Sequence, residues 1–210
     1  MKDKKQAISL DYLILLSFLF FLFSPNKSIG QVTPTNLEIL YKLADSAAYN
    51  LADQIPVSQK KIKLNFVVGN SYKIFADKII TTLTNDGIKI LSENSKDSSL
   101  IIVNFTIDNA KVLYGALFKK SFLGDFYTTR DFIFSGSYIL NSSDVKPSNF
   151  NFSYTDTVAS SDIKNLENPS YPFTQAQLPA EPFISSIYEP VIAVGAAALT
   201  VILFFTVRSK

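Results

Sequence analysis

Residues 191–207, VIAVGAAALTVILFFTV, constrain this chain more than any other stretch. The run has 17 residues and no charge, and only Thr200 and Thr206 carry a side-chain hydroxyl. As a helix it is about 25 Å long, at the short end of what spans a bilayer. Ten of its 17 residues are Val, Ile, Leu or Phe, giving roughly −3 to −6 kcal/mol of insertion free energy. Arg208 and Lys210 follow directly. The run reads as a transmembrane helix at 191–207 with a cytoplasmic tail at 208–210, so the membrane is the first expected partner.

The other end predicts export. Lys2, Lys4 and Lys5 precede a 12-residue apolar run, 12–23, broken only by Ser17. Ser28 and Gly30 then place small residues at −3 and −1 of a cleavage between Gly30 and Gln31. This is the layout of a signal peptide over 1–30, with an uncleaved N-terminal anchor as the alternative. Basic residues flank one side of each apolar segment, so both precursor termini are expected in the cytoplasm and the middle outside.

Charge and missing residue types narrow the chemistry. Between Gln31 and Pro190 there are 14 basic and 16 acidic residues. A nucleic-acid binder concentrates Lys and Arg in its folded domain, so no nucleic-acid partner is expected. The chain has no Cys and no His. Thiolate nucleophiles, disulfides and histidine triads are therefore impossible, and the commonest metal ligand is missing. A zinc site would have to be all-carboxylate. No glycine-rich phosphate loop is present. No catalytic residue, cofactor or metal is expected, and the protein reads as not an enzyme. A disulfide-free exported domain fits a bacterial envelope, with the main domain in the periplasm and the anchor in the inner membrane. Asn104, Asn141 and Asn151 match the glycosylation acceptor pattern, but Asn104 and Asn151 fall inside expected strands.

The middle, 31–165, reads as one exported domain. Thr35 and Glu38 form a capping box. Leu37, Leu40, Tyr41, Ala44, Ala48, Leu51 and Ile55 then recur at helical spacing as far as Pro56. Ile62, Leu64, Phe66 and Val68 alternate as a strand. Tyr72, Phe75, Ala76, Ile79, Ile80 and Leu83 mark a second helix, and Gly87 stands where a C-cap glycine belongs. Residues 88–91 form a short strand, and 100–108 a central one, apolar on both faces at its start. Phe132, Phe134, Tyr138 and Leu140 alternate over 126–140, with Gly136 marking a bulge. Phe150, Phe152 and Tyr154 alternate in a last strand. Residues 110–125 fit either a strand and turn, which completes a meander, or a helix.

This order predicts an α+β fold: an antiparallel-rich sheet of about five to six strands with two helices on one face, plus a C-terminal transmembrane helix. The layout is similar to small periplasmic α/β modules such as the N-terminal domain of TolB and the core of CsgG-like secretion lipoproteins, an architectural analogy without a shared motif. Residues 166–190 hold five of the nine prolines from Pro169 onward. They read as an extended stalk, able to hold the domain up to roughly 70 Å from the bilayer.

Two places could carry recognition. Asp125, Tyr127, Arg130 and Asp131 could bind a carboxylate or phosphate through Arg130, or be turn and solvent-facing strand residues. Eight rings fall within residues 114–138. At the expected hairpin tip among them, Lys119, Lys120, Phe122, Leu123 and Phe126, with Arg130 beyond, could dock a protein partner or the membrane surface; the alternative is a tip folded back on the sheet. The expected function is a membrane-anchored, non-enzymatic adaptor or accessory subunit of a cell-envelope assembly, with an unidentified protein partner. A small-ligand or envelope-signal binding domain is the alternative.

Overall fold

The computed structural model describes residues 32–91, 100–121, 124–141, 147–180 and 183–208. The expected signal segment, with Gly30 and Gln31, lies outside them, as do Phe122 and Leu123.

The first helix, α1 (Asn36–Ala52), begins at the capping box read from the sequence. Glu38 N donates to Thr35 Oγ1, and Thr35 N donates to a Glu38 carboxylate oxygen at 2.7 Å. Ile39, Leu40, Leu43, Ala44, Ala47, Ala48 and Leu51 are buried at spacings of three and four, the single apolar face of a helix laid on a core. Strand β1 (Lys61–Val67) leads into α2 (Lys73–Asn85), which buries Phe75, Ile79 and Leu83. Gly87 ends this helix at φ +85°, a left-handed conformation that suits glycine. Lys78 pairs with Asp45 at 3.0 Å and ties α2 to α1.

The strands β2 (Lys89–Ile90), β3 (Ile101–Tyr114), β4 (Phe118–Lys119), β5 (Phe126–Asn141) and β6 (Pro147–Ala159) complete one six-stranded sheet with β1. β1 runs parallel to both β2 and β3, while β5 runs antiparallel to β3, β4 and β6. The sheet is thus mixed, not antiparallel-rich as expected. The cause is the β1–α2–β2 crossover: a helix between two neighbouring strands returns the chain in the same direction. The described residues between 110 and 125 take the strand-and-turn form, and the described helices α1 and α2 share one core with the sheet.

β3 carries the device that makes this core continuous. Ile101, Val103, Phe105 and Ile107 are buried, and then Ala110, Val112 and Tyr114. The register against β5 slips between Ile107 and Asn109. One extra residue reverses the alternation. Without it, Ala110, Val112 and Tyr114 would face the opposite side. Phe75 then sits at the centre of the core, its ring 5.1 Å from both Phe134 and Phe173.

Phe173 belongs to the segment expected to be a free stalk. After the short helix α3 (Ile163–Leu166), the chain turns at Pro172–Thr174 and lies on the domain. Tyr171, Ala176 and Leu178 pack on the core, and Phe173 is buried. The prolines do not extend this stretch, because its aromatic and aliphatic side chains gain more by burial than a solvated chain would. The helix α4 (Phe183–Arg208) then starts before the expected boundary at 191 and takes in Pro190. Among the described residues no helix is long and apolar enough to cross a membrane. The uncharged run inside α4 is 17 residues, about 25 Å against a hydrocarbon core of about 30 Å.

Candidate interaction site

The pairing of β4 with β5 builds the end of the sheet where recognition was expected. Phe118 stands opposite Tyr127, and Lys119 opposite Phe126. The Phe118 and Tyr127 rings are 6.3 Å apart. Lys119 Nζ lies 4.6 Å from the Phe126 ring centre, and Lys120 Nζ 4.1 Å from that of Tyr127. Both distances are within the range of cation–π attraction. Phe118 and Lys120 are exposed, while Lys119, Phe126 and Tyr127 are half-buried. The end of the hairpin therefore presents two cations held over aromatic faces, a surface able to meet an acidic or amphipathic partner.

Arg130 does not belong to that surface. Its side chain is 0% exposed. Successive strand residues face opposite sides of a sheet, so Arg130 points into the core while Tyr127 and Asp131 point away from it. Asp131 accepts a hydrogen bond from Thr155 at 2.7 Å on that other side, and Asp125 is exposed ahead of the strand. The four polar residues singled out together in the sequence do not converge.

Arg130 instead anchors a buried polar network that sequence reading missed. Its Nε and Nη2 donate to the two Asp156 carboxylate oxygens at 2.8 and 2.6 Å. Its Nη1 donates to Asn36 Oδ1 at 2.7 Å and to the Pro34 carbonyl at 3.1 Å. The amide of Asn36 donates in turn to Tyr114 Oη at 2.9 Å and to the Thr174 carbonyl at 2.7 Å. Tyr114 donates to Glu167 at 2.9 Å, and that same oxygen accepts from Ala176 N. No described buried side-chain polar atom is left without a partner. A full set of this kind fixes one arrangement of the start of α1, three strands and the chain after α3. The signal for it was present in the sequence: Arg130 precedes Phe132 and Phe134 by two and four residues, so alternation alone puts it on the apolar face.

Burial raises the Tyr114 hydroxyl well above its ordinary value near 10, and its hydrogen bond to Glu167 adds to the effect against the opposing bond from Asn36. The neutral phenol is thus favoured in the folded chain. A raised pKa contributes stability that is whole below the unfolded value and is lost as pH climbs toward the folded one. Stability is therefore expected to fall as pH rises past about 10. Tyr41 and Tyr138 are raised in the same direction, chiefly by burial, so Tyr114→Phe should flatten only part of the alkaline slope. Urea denaturation at a series of pH values measures it, and an unchanged slope in the variant would refute the assignment.

Among the described residues no group of three or more His, Cys, Asp or Glu side chains could hold a metal ion.

No protein-family model matches the chain, and no curated protein matches it. Among solved structures it is similar to a minor lipoprotein from Acinetobacter baumannii, at 9% identity over 50% of this chain and 69% of that one, with a TM-score of 0.32. It is also similar to the rare lipoprotein B from Shewanella oneidensis, at 8% identity over 70% of this chain and 93% of that one, with a TM-score of 0.31. At TM-scores below 0.5 neither likeness bears on the fold or the role of this chain.

Proposed function

We propose that this protein is a membrane-tethered protein of the bacterial envelope whose exported domain works without enzymatic chemistry, as an adaptor or accessory subunit of an envelope assembly. The observation that carries the reading is the surface of α4. Val191, Ile192, Val194, Leu199, Val201, Ile202, Leu203, Phe204 and Phe205 are 40–69% exposed. Contiguous apolar surface of that extent is unstable in water and calls for lipid or a partner helix. The run is short for a span, which a locally thinned bilayer accommodates at modest cost. The tether would sit in the inner membrane, with the domain in the periplasm and residues 208–210 in the cytoplasm. The absence of His and Cys from the sequence supports the non-enzymatic part.

The arithmetic of insertion gives the test. Leu199→Arg combined with Ile202→Arg adds about 5–7 kcal/mol of insertion cost to a run that gains only about 3–6. The double variant is expected in the soluble fraction after cell lysis, and the unaltered chain in the alkali-resistant membrane fraction. Recovery of the unaltered chain as a soluble protein would refute the tether. The adaptor role is tested separately, by copurification from gently solubilised membranes with and without residues 191–210. A reproducible partner retained without the helix assigns binding to the exported domain.

A further inference from the structure

β6 is an edge strand. It pairs with β5 along its whole length, from Tyr127 opposite Ala159 to Ile139 opposite Pro147, and among the described residues it pairs with no strand on its other side. In any strand, alternate residues turn their backbone N–H and C=O groups to each edge. Soluble proteins guard such edges with lysines, internal prolines, bulges or short strands. β6 has no lysine, no internal proline and no bulge, and it is not short; its one guard is the inward-pointing charge of Asp156. It runs 13 residues, its only proline is the first, and its register against β5 is unbroken. Its single charge, Asp156, is committed to Arg130.

A groove opens between the start of α1 and Tyr154 of this strand. It encloses about 230 Å³ and is lined by Pro34, Ile39, Lys42, Leu43 and Ser46, at and after the start of α1, and by Tyr154 of β6. Ile39 and Leu43 give it an apolar floor, Tyr154 is 45% exposed, and Lys42 is its one charged residue. We infer that the outer edge of β6 is a docking site for an extended segment of a partner protein, added as a seventh strand. The backbone edge specifies a strand, since its alternating donors and acceptors are matched by another strand's main chain. The groove specifies the side chains: an apolar residue between Leu43 and Tyr154, and a carboxylate within reach of Lys42. This names the contact surface of the adaptor reading and takes its cellular setting from it.

The test uses the full chain purified in detergent micelles and a fluorescein-labelled peptide, Ser-Val-Thr-Val-Glu-Val-Thr-Val-Ser, with binding read by fluorescence polarisation. Saturable binding is expected. Methylating alternate peptide nitrogens, in whichever of the two phases meets the edge, should weaken it about tenfold or more, because the lost donors are those that pair with β6. Tyr154→Lys should weaken it similarly by guarding the edge. Lys42→Glu should weaken the Glu peptide and favour its Glu→Lys counterpart. Both substitutions are on the surface, and circular dichroism checks that each variant is folded. Absent saturable binding, or binding indifferent to N-methylation in both phases, overturns the inference. So does a concentration-dependent dimer abolished by Tyr154→Lys, since a second copy would then own the edge. Failure here leaves the membrane tether standing, and failure of the tether leaves this peptide result standing.

Discussion

Arg130→Ala is expected to lower the unfolding free energy of the domain by about 3 kcal/mol, read by urea denaturation. The side chain is fully buried, and its removal strands three groups at once. The Asp156 carboxylate loses both of its charged donors, Asn36 Oδ1 loses its donor at 2.7 Å, and the Pro34 carbonyl loses its donor at 3.1 Å. Breaking a buried pair from one side typically costs about 3–5 kcal/mol. The lower end applies because the Asp156 side chain remains 19% exposed, so water can reach it. The guanidinium also lies 5.3 Å from the Phe132 ring centre, a contact that goes with it. Arg130→Lys restores the charge but not the forked geometry, and should still cost about 1–2 kcal/mol. Removing both charges, as Arg130→Met with Asp156→Leu, should cost less than Arg130→Ala alone, because the penalty lies mainly in the orphaned carboxylate. A single variant as stable as the parent would show that the network does not hold the fold.

Gly136→Ala is expected to cost about 3 kcal/mol, the upper end of the usual penalty for overpacking. The reason is contact, not backbone conformation: among the described residues Gly87 alone has a positive φ. A Cβ at position 136 would lie 2.1 Å from the Thr106 carbonyl oxygen and 2.6 Å from Phe150 Cζ. The ring could move aside, but the carbonyl belongs to the backbone of β3. Adding Phe150→Leu should therefore recover little of the loss. Full recovery in that double variant would show that the ring, and not the neighbouring strand, sets the limit. Gly136 pairs with Ile107, immediately before the slip in register, so the same crowding disturbs the bulge that keeps Ala110, Val112 and Tyr114 in the core.

That bulge also marks where the sequence stopped being readable. Helices α1 and α2 were visible from spacing, because a 3.6-residue period survives local irregularity. β1, β5 and β6 were visible because alternation runs unbroken through them. The second half of β3 was not: buried positions change from odd to even numbers across Asp108, and a search for strict alternation loses phase there. The mixed sheet was half visible, since helix α2 between two strands already implies a parallel pair. Proline content alone makes residues 166–178 look like extended stalk, yet they pack on the core. Tyr171, Phe173 and Leu178 follow no helical or strand period, and only the cavity they fill reveals them as core. Lys119, Lys120, Phe126 and Tyr127, neighbours in sequence, also lie together at the end of β4 and β5. Arg130 neighbours them in sequence but lies on the other side of the strand, its side chain 0% exposed.

The position of Asn36 has a mechanical consequence. Its amide joins the first residue of α1 to the Thr174 carbonyl, just ahead of the stretch that leads to α4. Tension applied through residues 179 onward is borne first by the Asn36, Glu167 and Phe173 contacts, and these connect sideways into α1, β3 and α2. The load then enters the sheet across several elements together instead of peeling one strand from its edge. Pulled from its C-terminal side, the domain would resist being unzipped, and its first yielding step would be release of residues 167–178 with the sheet still whole.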